Sequence, residues 1–221
     1  MSLKLIIGNK NYSSWSMRAW LLLKWLGVDF EERLVMLYRP DSRAAALPYS
    51  PNAKLPALID GELRVWDSLA IVMHMADRHD RVWPRDPAAR AFAQSVCAEM
   101  HSGFTALRDA MPHNGRGRGR TVPLTGAVEG DIERIAQIWT EGLARFGGPW
   151  LTGPFGVADI FYAPVAARFR TYGVALDGAA AGYRDALLAH PLVETWYAEG
   201  ADEEEIAAGE AGRVAPEAAR V

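Results

Sequence analysis

The chain has 221 residues, of which 50% are hydrophobic and 23% are charged, and its formal net charge is −3. That length accommodates one large domain or two small ones, and the charge gives no general attraction to nucleic acid or to anionic membranes. No apolar run approaches the ~20 residues that span a bilayer, and the start shows no secretory signal pattern, so we expect a cytoplasmic protein. The single cysteine, Cys97, excludes an internal disulfide and a cysteine-based metal site, and we expect it to be a small buried side chain.

The chain begins with patterns typical of a strand, a helix and a second strand. Residues 3–8 form a short apolar run that predicts a buried strand, and residues 19–27 have apolar side chains at helical spacing. Gly27 is a good helix stop, and residues 28–37 predict a second strand. A strand, helix and strand within so short a segment predict a βαβ unit with parallel pairing and a right-handed crossover.

The next segment predicts a short helix, a hairpin and a further helix. Residues 40–54 look like a loop with one short helix, and residues 57–66 predict a hairpin that turns at Asp60-Gly61. A helix over residues 69–77 begins directly after Asp67-Ser68, with Asp or Ser as its cap. The order of elements is therefore βαβ-α-ββα.

Strand signals largely stop after this point, and helical patterns follow. We predict an N-terminal domain over residues 1–80, a proline-bearing linker over 81–87, an all-helical domain over 88–208 and a tail over 209–221. The predicted helices of the second domain cover residues 88–111, a long segment through Ile132 and Leu143 that stops at Gly147, a segment from Phe155 toward Tyr172, and residues 180–189 and 191–198.

A hydroxyl-rich turn, residues 11–18, lies between the first strand and the first helix. Backbone N–H groups at a helix start point outward, and the helix dipole favours negative charge there. Serines in that position, such as Ser13 and Ser14, are helix caps or groups that hold an anion.

Four motifs, in this order, resemble those of the soluble glutathione transferase family, and the resemblance extends to about residue 208. Residues 13–18 are similar to the serine-class signature of the family's zeta group, with Trp15 in place of a cysteine. Residues 50–58 are similar to a segment that carries a cis proline, and residues 67–71 to the family's Glu/Gln-Ser-x-Ala-Ile. Residues 156–160 resemble its Ser/Thr-x-x-Asp helix start, with glycine in the cap position.

The resemblance implies a thioredoxin-like α/β domain with a mixed four-stranded sheet, followed by an all-α domain. It also implies glutathione as the cosubstrate, with Ser13 as the catalytic residue and no metal. Since a serine hydroxyl does not act as a base near neutral pH, Ser13 would donate a hydrogen bond that favours the thiolate. The residues that would bind glutathione are Ser14, Arg18, Lys54, Leu55, Pro56, Asp67 and Ser68.

The resemblance, together with the chemistry of each group, implies individual roles within that set. Ser68 would hold the γ-glutamyl carboxylate, and Asp67 would attract the ammonium of the same residue. A cis proline at Pro56 would leave the backbone N–H and C=O of Leu55 free to pair with the cysteinyl backbone, and Lys54 would reach the glycyl carboxylate.

Simpler interpretations stay open for each of these residues. Ser13, Ser14 and Ser68 are also plausible helix caps, and Pro56 an ordinary turn proline. Arg18 is as well explained by a structural ion pair as by ligand binding.

The resemblance places Trp15 and His101 in the acceptor pocket. His101 is equally compatible with a packing or interdomain role. The five histidines show no metal-ligand spacing. The arginine-rich loop over residues 116–120 is better explained as a flexible, solvated loop than as a nucleic-acid contact, and a position beside the acceptor pocket is the alternative.

The predicted function is a glutathione transferase that attacks a small electrophilic or unsaturated substrate. Maleylacetoacetate isomerase is a narrower alternative. Two departures from the zeta-group pattern weaken it: Trp15 in place of a cysteine, and Thr171 in place of a basic residue. Arg168 or Arg170 would have to replace that basic residue. A non-catalytic glutathione-binding protein of the same fold is a further alternative.

The resemblance also implies a homodimer, and we expect neither nucleic acid nor a membrane as a partner. By residue type, Trp66 and Trp83 are candidates for the dimer interface.

Overall fold

The computed structural model describes residues 3–203, so the predicted tail lies outside the described residues. Helices and strands follow one another in this order: β1 Leu3–Gly8, α1 Ser14–Leu26, β2 Phe30–Val35, α2 Ser42–Ala46, β3 Ala57–Asp60, β4 Leu63–Trp66, α3 Ser68–Ala76, α4 Pro87–Ser102, α5 Thr105–Ala110, α6 Gly126–Phe146, α7 Val157–Thr171, α8 Gly178–Leu188 and α9 Pro191–Glu199.

The strands form one mixed sheet in the order β2-β1-β3-β4. β1 pairs in parallel with β2 and antiparallel with β3, and β3 pairs antiparallel with β4. The predicted βαβ-α-ββα order and the mixed four-stranded sheet are both confirmed. Because Asp60 pairs with Leu63, the hairpin turns at Gly61 and Glu62, one residue later than predicted. Gly61 has φ +61°, a conformation that favours glycine.

Helix α1 occupies the centre of the molecule because it is apolar on every side. Consecutive residues from Ala19 to Leu23 are completely buried, as expected of a helix that is covered all round. It packs against the sheet, α3, α7 and α9. Gly27 ends the helix in the left-handed conformation at φ +70°, as predicted. The first turn of α1 is therefore held between the sheet and the helices that follow.

From residue 87 to residue 203 the regular elements are all helices, which confirms the predicted fold class. Helix α7 lies at their centre, where it packs against α1, α4 and α8 and buries almost every side chain. Cys97, on α4, is completely buried as predicted, and this burial raises the pKa of its thiol. The predicted boundary at residues 81–87 stays a prediction. No helix within residues 3–203 is both long and apolar enough to cross a bilayer.

The predicted helix over residues 88–111 is wrong in one respect, because it is two helices. α4 ends at Ser102 and α5 begins at Thr105. Between them Gly103 is extended, and Phe104 adopts the left-handed conformation at φ +60°. The apolar stripe predicted for this segment is nevertheless buried, at Phe92, Val96, Met100, Phe104, Leu107 and Met111.

Candidate functional site

The register of the sheet brings three separate segments of the chain together at one end of the strands. Ala57 is opposite Ile6 on β1 and opposite Trp66 on β4. The end of β1, the start of β3 and the end of β4 therefore lie side by side. The turn that contains Ser13 follows β1. Pro56 directly precedes β3, and the pair Asp67-Ser68 directly follows β4.

Ser13 is the N-cap of α1, as one interpretation of the sequence predicted. Its Oγ accepts a hydrogen bond of 3.2 Å from the amide of Ser16, and the two hydroxyl oxygens are 2.8 Å apart. Ser14 is the first residue of the helix and is nine-tenths buried. Capping does not exclude chemistry here, because the hydroxyl remains next to the helix N-terminus, where negative charge is stabilised.

The peptide bond between Leu55 and Pro56 is cis, as the resemblance implied. The carbonyl of Pro56 accepts a bond of 3.4 Å from the amide of Asp67, which joins the start of β3 to the start of α3. Within residues 3–203, the N–H and C=O of Leu55 have no hydrogen-bond partner. The amide of Lys54 donates to Asn52 Oδ1 at 2.9 Å. The backbone of Leu55 is thus available to an extended peptide.

Asp67, and not Ser68, caps helix α3. Asp67 Oδ1 accepts from the amides of Leu69 and Ala70 at 2.8 and 3.2 Å. Its φ of +83° is unusual for a residue with a side chain. Ser68 is the first residue of the helix, and its buried Oγ has no hydrogen-bond partner in the described part of the chain. The expectation that Ser68 serves as the cap is therefore wrong, and its hydroxyl is a buried polar group without a partner.

His101 connects α4 to the start of α3. Its Nε2 lies 2.7 Å from Asp67 Oδ2, and its ring meets the ring of Trp15 edge-on at a centroid distance of 5.3 Å. Burial alone would raise the pKa of Asp67, but the hydrogen bond and the charge of His101 outweigh it, with help from two backbone amides, and the pKa is lowered. These contacts give His101 the interdomain role that was one of its two interpretations.

Trp15 lies between two guanidinium groups. Those of Arg18 and Arg108 are each 4.5 Å from the centroid of its ring, within the range of cation–π attraction. Arg18 is almost completely buried, and its Nε donates to the carbonyl of Phe161 at 3.2 Å, while one terminal nitrogen has no hydrogen-bond partner. The ion pair considered for Arg18 is not formed with any carboxylate among residues 3–203.

Arg168 extends this buried positive charge, and the imidazole of His113 lies next to it. Arg168 donates from Nε to the carbonyl of Met111 at 2.6 Å, and Nδ1 of the buried His113 has no partner within the described residues. Burial, followed by the charges of Arg108 and Arg168, lowers the pKa of Arg18 well below its usual value. Burial and the neighbouring arginines likewise lower the pKa of His113. We call Arg18, Arg108 and Arg168 the arginine cluster.

Sequence analysis did not assign Arg108 or His113 to the site. The signal that was available is an arginine next to a core residue within an apolar helical stripe, as Arg108 is next to Leu107. A charged side chain in that position needs a functional or structural reason, because burial of an unpaired charge is unfavourable.

The arginine-rich loop over residues 116–120, predicted to be solvated and flexible, is hydrogen-bonded at its start to the hydroxyl-rich turn of residues 11–18, which corrects that prediction. The amides of Gly115 and Arg116 donate to Asn11 O and Oδ1 at 2.9 and 2.8 Å. The guanidinium of Arg116 donates to the carbonyls of Ala201 and Glu203, each at 2.7 Å. The start of this loop therefore supports the residues that precede Ser13.

Two cavities among the described residues lie away from this site. A cavity of about 360 Å³ between β2 and α2 and one of about 300 Å³ between α7 and α8 are lined by none of the predicted site residues. Between residues 3 and 203, no group of three or more His, Cys, Asp or Glu side chains is placed to hold a metal ion.

Comparison with known proteins agrees with the fold and with the motifs of this site. Residues 12–78 match the family model of the glutathione S-transferase N-terminal domain, and residues 89–199 match that of the C-terminal domain. The chain therefore belongs to the glutathione S-transferase family, a family of glutathione-dependent enzymes.

Two curated relatives lie near the zeta group, as predicted. A probable maleylacetoacetate isomerase from Caenorhabditis elegans is 32% identical over 99 residues, which cover 43% of this chain and 45% of that protein. The chain thus matches less than half the length of that relative. Glutathione S-transferase Z2 from Arabidopsis thaliana is 26% identical over 182 residues, or 76% of this chain and 80% of the relative.

Solved structures share the fold at low sequence identity. A glutathione transferase homologue from Burkholderia GL BGR1, solved with bound glutathione, superimposes with a TM-score of 0.70 at 22% identity and covers 91% of this chain and 100% of its own. A diazinon-metabolizing glutathione S-transferase from the silkworm Bombyx mori gives a TM-score of 0.72 at 16% identity, with 92% and 98% covered.

Proposed function

We propose that this protein is a glutathione transferase in which the hydroxyl of Ser13 stabilises the glutathione thiolate. The observation that carries the proposal is the position of Ser13 Oγ at the N-terminus of the buried helix α1, directly after β1. A hydrogen bond from this hydroxyl, added to the helix-end field, favours the charged form of the sulfur. Each pKa unit of lowering requires about 1.4 kcal/mol of preferential stabilisation. The thiol proton leaves to water, because serine does not accept it near neutral pH.

The remaining predicted residues would hold the rest of the tripeptide. The buried hydroxyl of Ser68 has no partner within residues 3–203, which suits it to the γ-glutamyl carboxylate. The backbone N–H and C=O of Leu55, which are unpaired within the same range, would bind the cysteinyl residue as an added short strand. Asp67 would face the ammonium group, and Lys54 the glycyl carboxylate.

The test compares wild type with Ser13→Ala. We expect wild type to raise the ultraviolet absorbance of glutathione thiolate at neutral pH and to conjugate a generic aryl halide, and Ser13→Ala to lose most of both. Full conjugation by Ser13→Ala would contradict the proposal. Wild-type binding of glutathione without more thiolate would support a non-catalytic binding protein instead.

The arginine cluster favours one alternative, a maleylacetoacetate isomerase-like activity. Arg18 and Arg108 beside Trp15, and Arg168 next to them, have carbonyl, sulfur or aromatic partners but form no ion pair with a carboxylate among the described residues. The charge of Asp131 acts on Arg108 without reaching ion-pair distance. A diketo acid with carboxylate groups would supply the missing negative charge. Thiolate addition to its cis double bond, rotation and elimination would return glutathione unchanged.

An acceptor screen separates the two reactions. If the isomerase assignment is correct, kcat/KM for a maleyl diketo acid exceeds that for an aryl halide by at least about tenfold, which corresponds to 1.4 kcal/mol of transition-state binding. Faster conjugation of a neutral aryl halide would contradict the isomerase assignment and favour a general glutathione transferase.

We also propose a homodimer and a cytoplasmic location, both expected from the resemblance and the composition. Exposed apolar side chains on β4 and α3 support the dimer, since Leu63 and Met73 are 54% and 57% exposed. We call these two residues the β4–α3 surface. Trp66, which is 41% exposed, lies on the other face of β4, because side chains alternate along a strand. Trp83, the second predicted anchor, is instead partly buried against the core.

A further inference from the structure

Ser16 forms a buried link between the end of β1 and Ser13. It is completely buried, and its Oγ accepts a hydrogen bond of 3.0 Å from the amide of Gly8. The same Oγ lies 2.8 Å from Ser13 Oγ, and the Ser16 amide donates to Ser13 Oγ at 3.2 Å. Because it is fully covered, Ser16 does not itself reach a bound sulfur.

The two hydroxyls share one hydrogen bond, which is drawn with Ser13 Oγ as the donor to Ser16 Oγ. Because a hydroxyl proton rotates about its C–O bond, either oxygen can donate, and the direction of donation decides where each proton lies. If Ser13 donates, Ser16 Oγ accepts twice, and its own proton has no acceptor among the described residues. If Ser16 donates, every hydrogen-bonding group of Ser16 is satisfied. The second arrangement is favoured, because a buried hydroxyl proton without an acceptor is unfavourable.

The second arrangement also determines what Ser13 does. Ser13 Oγ then accepts from both the amide and the hydroxyl of Ser16, and its own proton has to point elsewhere. A hydroxyl that accepts hydrogen bonds becomes a stronger donor, because bonds in a chain polarise one another. The chain runs from the Gly8 amide through Ser16 to Ser13 and ends at the group that Ser13 faces.

We propose that Ser16 is a positioning residue that donates to Ser13 Oγ and thereby directs the Ser13 proton to the glutathione sulfur. This inference rests on the proposed function of Ser13. It assigns Ser16 no contact with substrate, and its effect on the thiolate passes entirely through Ser13.

A double-mutant cycle on the pKa of bound glutathione tests the inference. The probe is glutathione labelled with ¹³C at the cysteinyl β-carbon, whose chemical shift follows thiol ionisation. It is titrated on wild type, Ser13→Ala, Ser16→Ala and the double variant. We expect Ser16→Ala to raise the pKa by about 0.5 unit or more, a roughly threefold smaller ionisation constant. In the Ser13→Ala background the same change should have no further effect.

Two controls separate this role from a purely structural one. Ser95→Ala removes an exposed hydroxyl whose one hydrogen bond among the described residues goes to Ala91 O of its own helix, and it should leave the pKa unchanged. Ser16→Cys keeps the shape of the side chain, with a slightly larger atom that is a much weaker donor, so it provides a second variant if Ser16→Ala does not fold, and it should also raise the pKa.

The outcomes distinguish this inference from the proposed function. An equal pKa shift from Ser16→Ala with and without Ser13, or no shift in folded Ser16→Ala and Ser16→Cys, would overturn the role of Ser16 alone. If wild type leaves the glutathione pKa at its value in water, the proposed function of Ser13 fails, and the role of Ser16 fails with it.

Discussion

At the scale of single residues, Ser68 has a buried hydroxyl with no hydrogen-bond partner among the described residues. Since this hydroxyl has no partner in the described part of the free protein, Ser68→Ala should change the free energy of unfolding by no more than about 0.5 kcal/mol. A lost hydrogen bond to a charged carboxylate, at about 1.5 kcal/mol, should weaken glutathione binding roughly tenfold. Calorimetry with glutathione and denaturant unfolding measure the two quantities.

Ser95→Ala is the matched control for Ser68→Ala, because it also removes one helical hydroxyl and should affect neither quantity. Unchanged glutathione affinity in Ser68→Ala would remove Ser68 from the site. A large loss of stability would show that its hydroxyl has a structural partner.

Asp159 is a buried carboxyl whose ionisation is coupled to folding. It accepts hydrogen bonds from the amides of Leu151 and Gly156 at 3.0 and 2.9 Å and from the hydroxyl of Tyr183 at 2.7 Å. Burial nevertheless raises its pKa to about 6. The unfolded value is about 3.9, so between these values the folded state binds more protons, and this contribution to stability falls as pH rises.

Asp159→Asn should remove that pH dependence and lower stability, because its NH₂ group replaces an acceptor oxygen. We expect a loss of about 2 kcal/mol at acidic pH, and the difference from wild type should shrink as pH rises through about 4 to 6. Urea unfolding of both proteins across this interval measures it. A difference that grows with pH would show that the carboxylate, not the acid, is the stabilised form.

At the scale of elements, the break between α4 and α5 depends on Gly103. A Cβ at this position would lie 2.8 Å from the carbonyl oxygen of Glu99. Gly103→Ala should therefore destabilise the protein by about 1–2 kcal/mol. The matched control is Gly130→Ala on α6, where an added Cβ has no neighbour within 4 Å, and which should stabilise by about 0.5–1 kcal/mol.

Unfolding in urea measures both glycine variants. Equal effects of the two substitutions would contradict the account of the break, because they would show that helix propensity alone decides them.

The elements show which local features a sequence predicts. β1 and the end of α1 at Gly27 were predictable, because apolar runs and a helix-stopping glycine are local signals, whereas the mixed four-stranded sheet was implied by the family resemblance. The α4–α5 break was not, since the apolar stripe continues through Phe104 at helical spacing while the backbone there is left-handed. Phe104 is buried although the helix is interrupted there, so the apolar periodicity continues through the break and does not reveal it.

At the scale of the whole molecule, local motifs located some residues of the candidate site but not the contacts between them. Ser13, Pro56 and the Asp67-Ser68 pair lie at one end of the strands because the predicted strands pair in one register. The link from His101 to Asp67 depends on how α4 packs against the start of α3. The cation–π contact of Arg108 with Trp15 depends on how α5 packs against the first turn of α1. Contacts between distant helices leave no periodic signal in a single sequence.

The proposed dimer gives a prediction at the same scale. Met73→Glu introduces a charge on the exposed β4–α3 surface and should weaken dimerisation at least about tenfold, since a buried unpaired charge is costly. Sedimentation velocity over a concentration series measures this. Leu124→Glu is the control, because Leu124 is similarly exposed, at 54%, but lies outside that surface. Monomeric wild type, or a dimer that Met73→Glu leaves intact, would contradict the proposal.

The central claim is that Ser13 stabilises a thiolate, and the pKa of glutathione bound to wild type tests it most directly. A cysteine side chain in water has a pKa of about 8.5. We predict that a pH titration of thiolate absorbance in the complex gives a pKa at least about one unit below that of free glutathione, and that Ser13→Ala restores most of the difference. A bound pKa equal to that of free glutathione, or an equally low one in Ser13→Ala, would contradict the account.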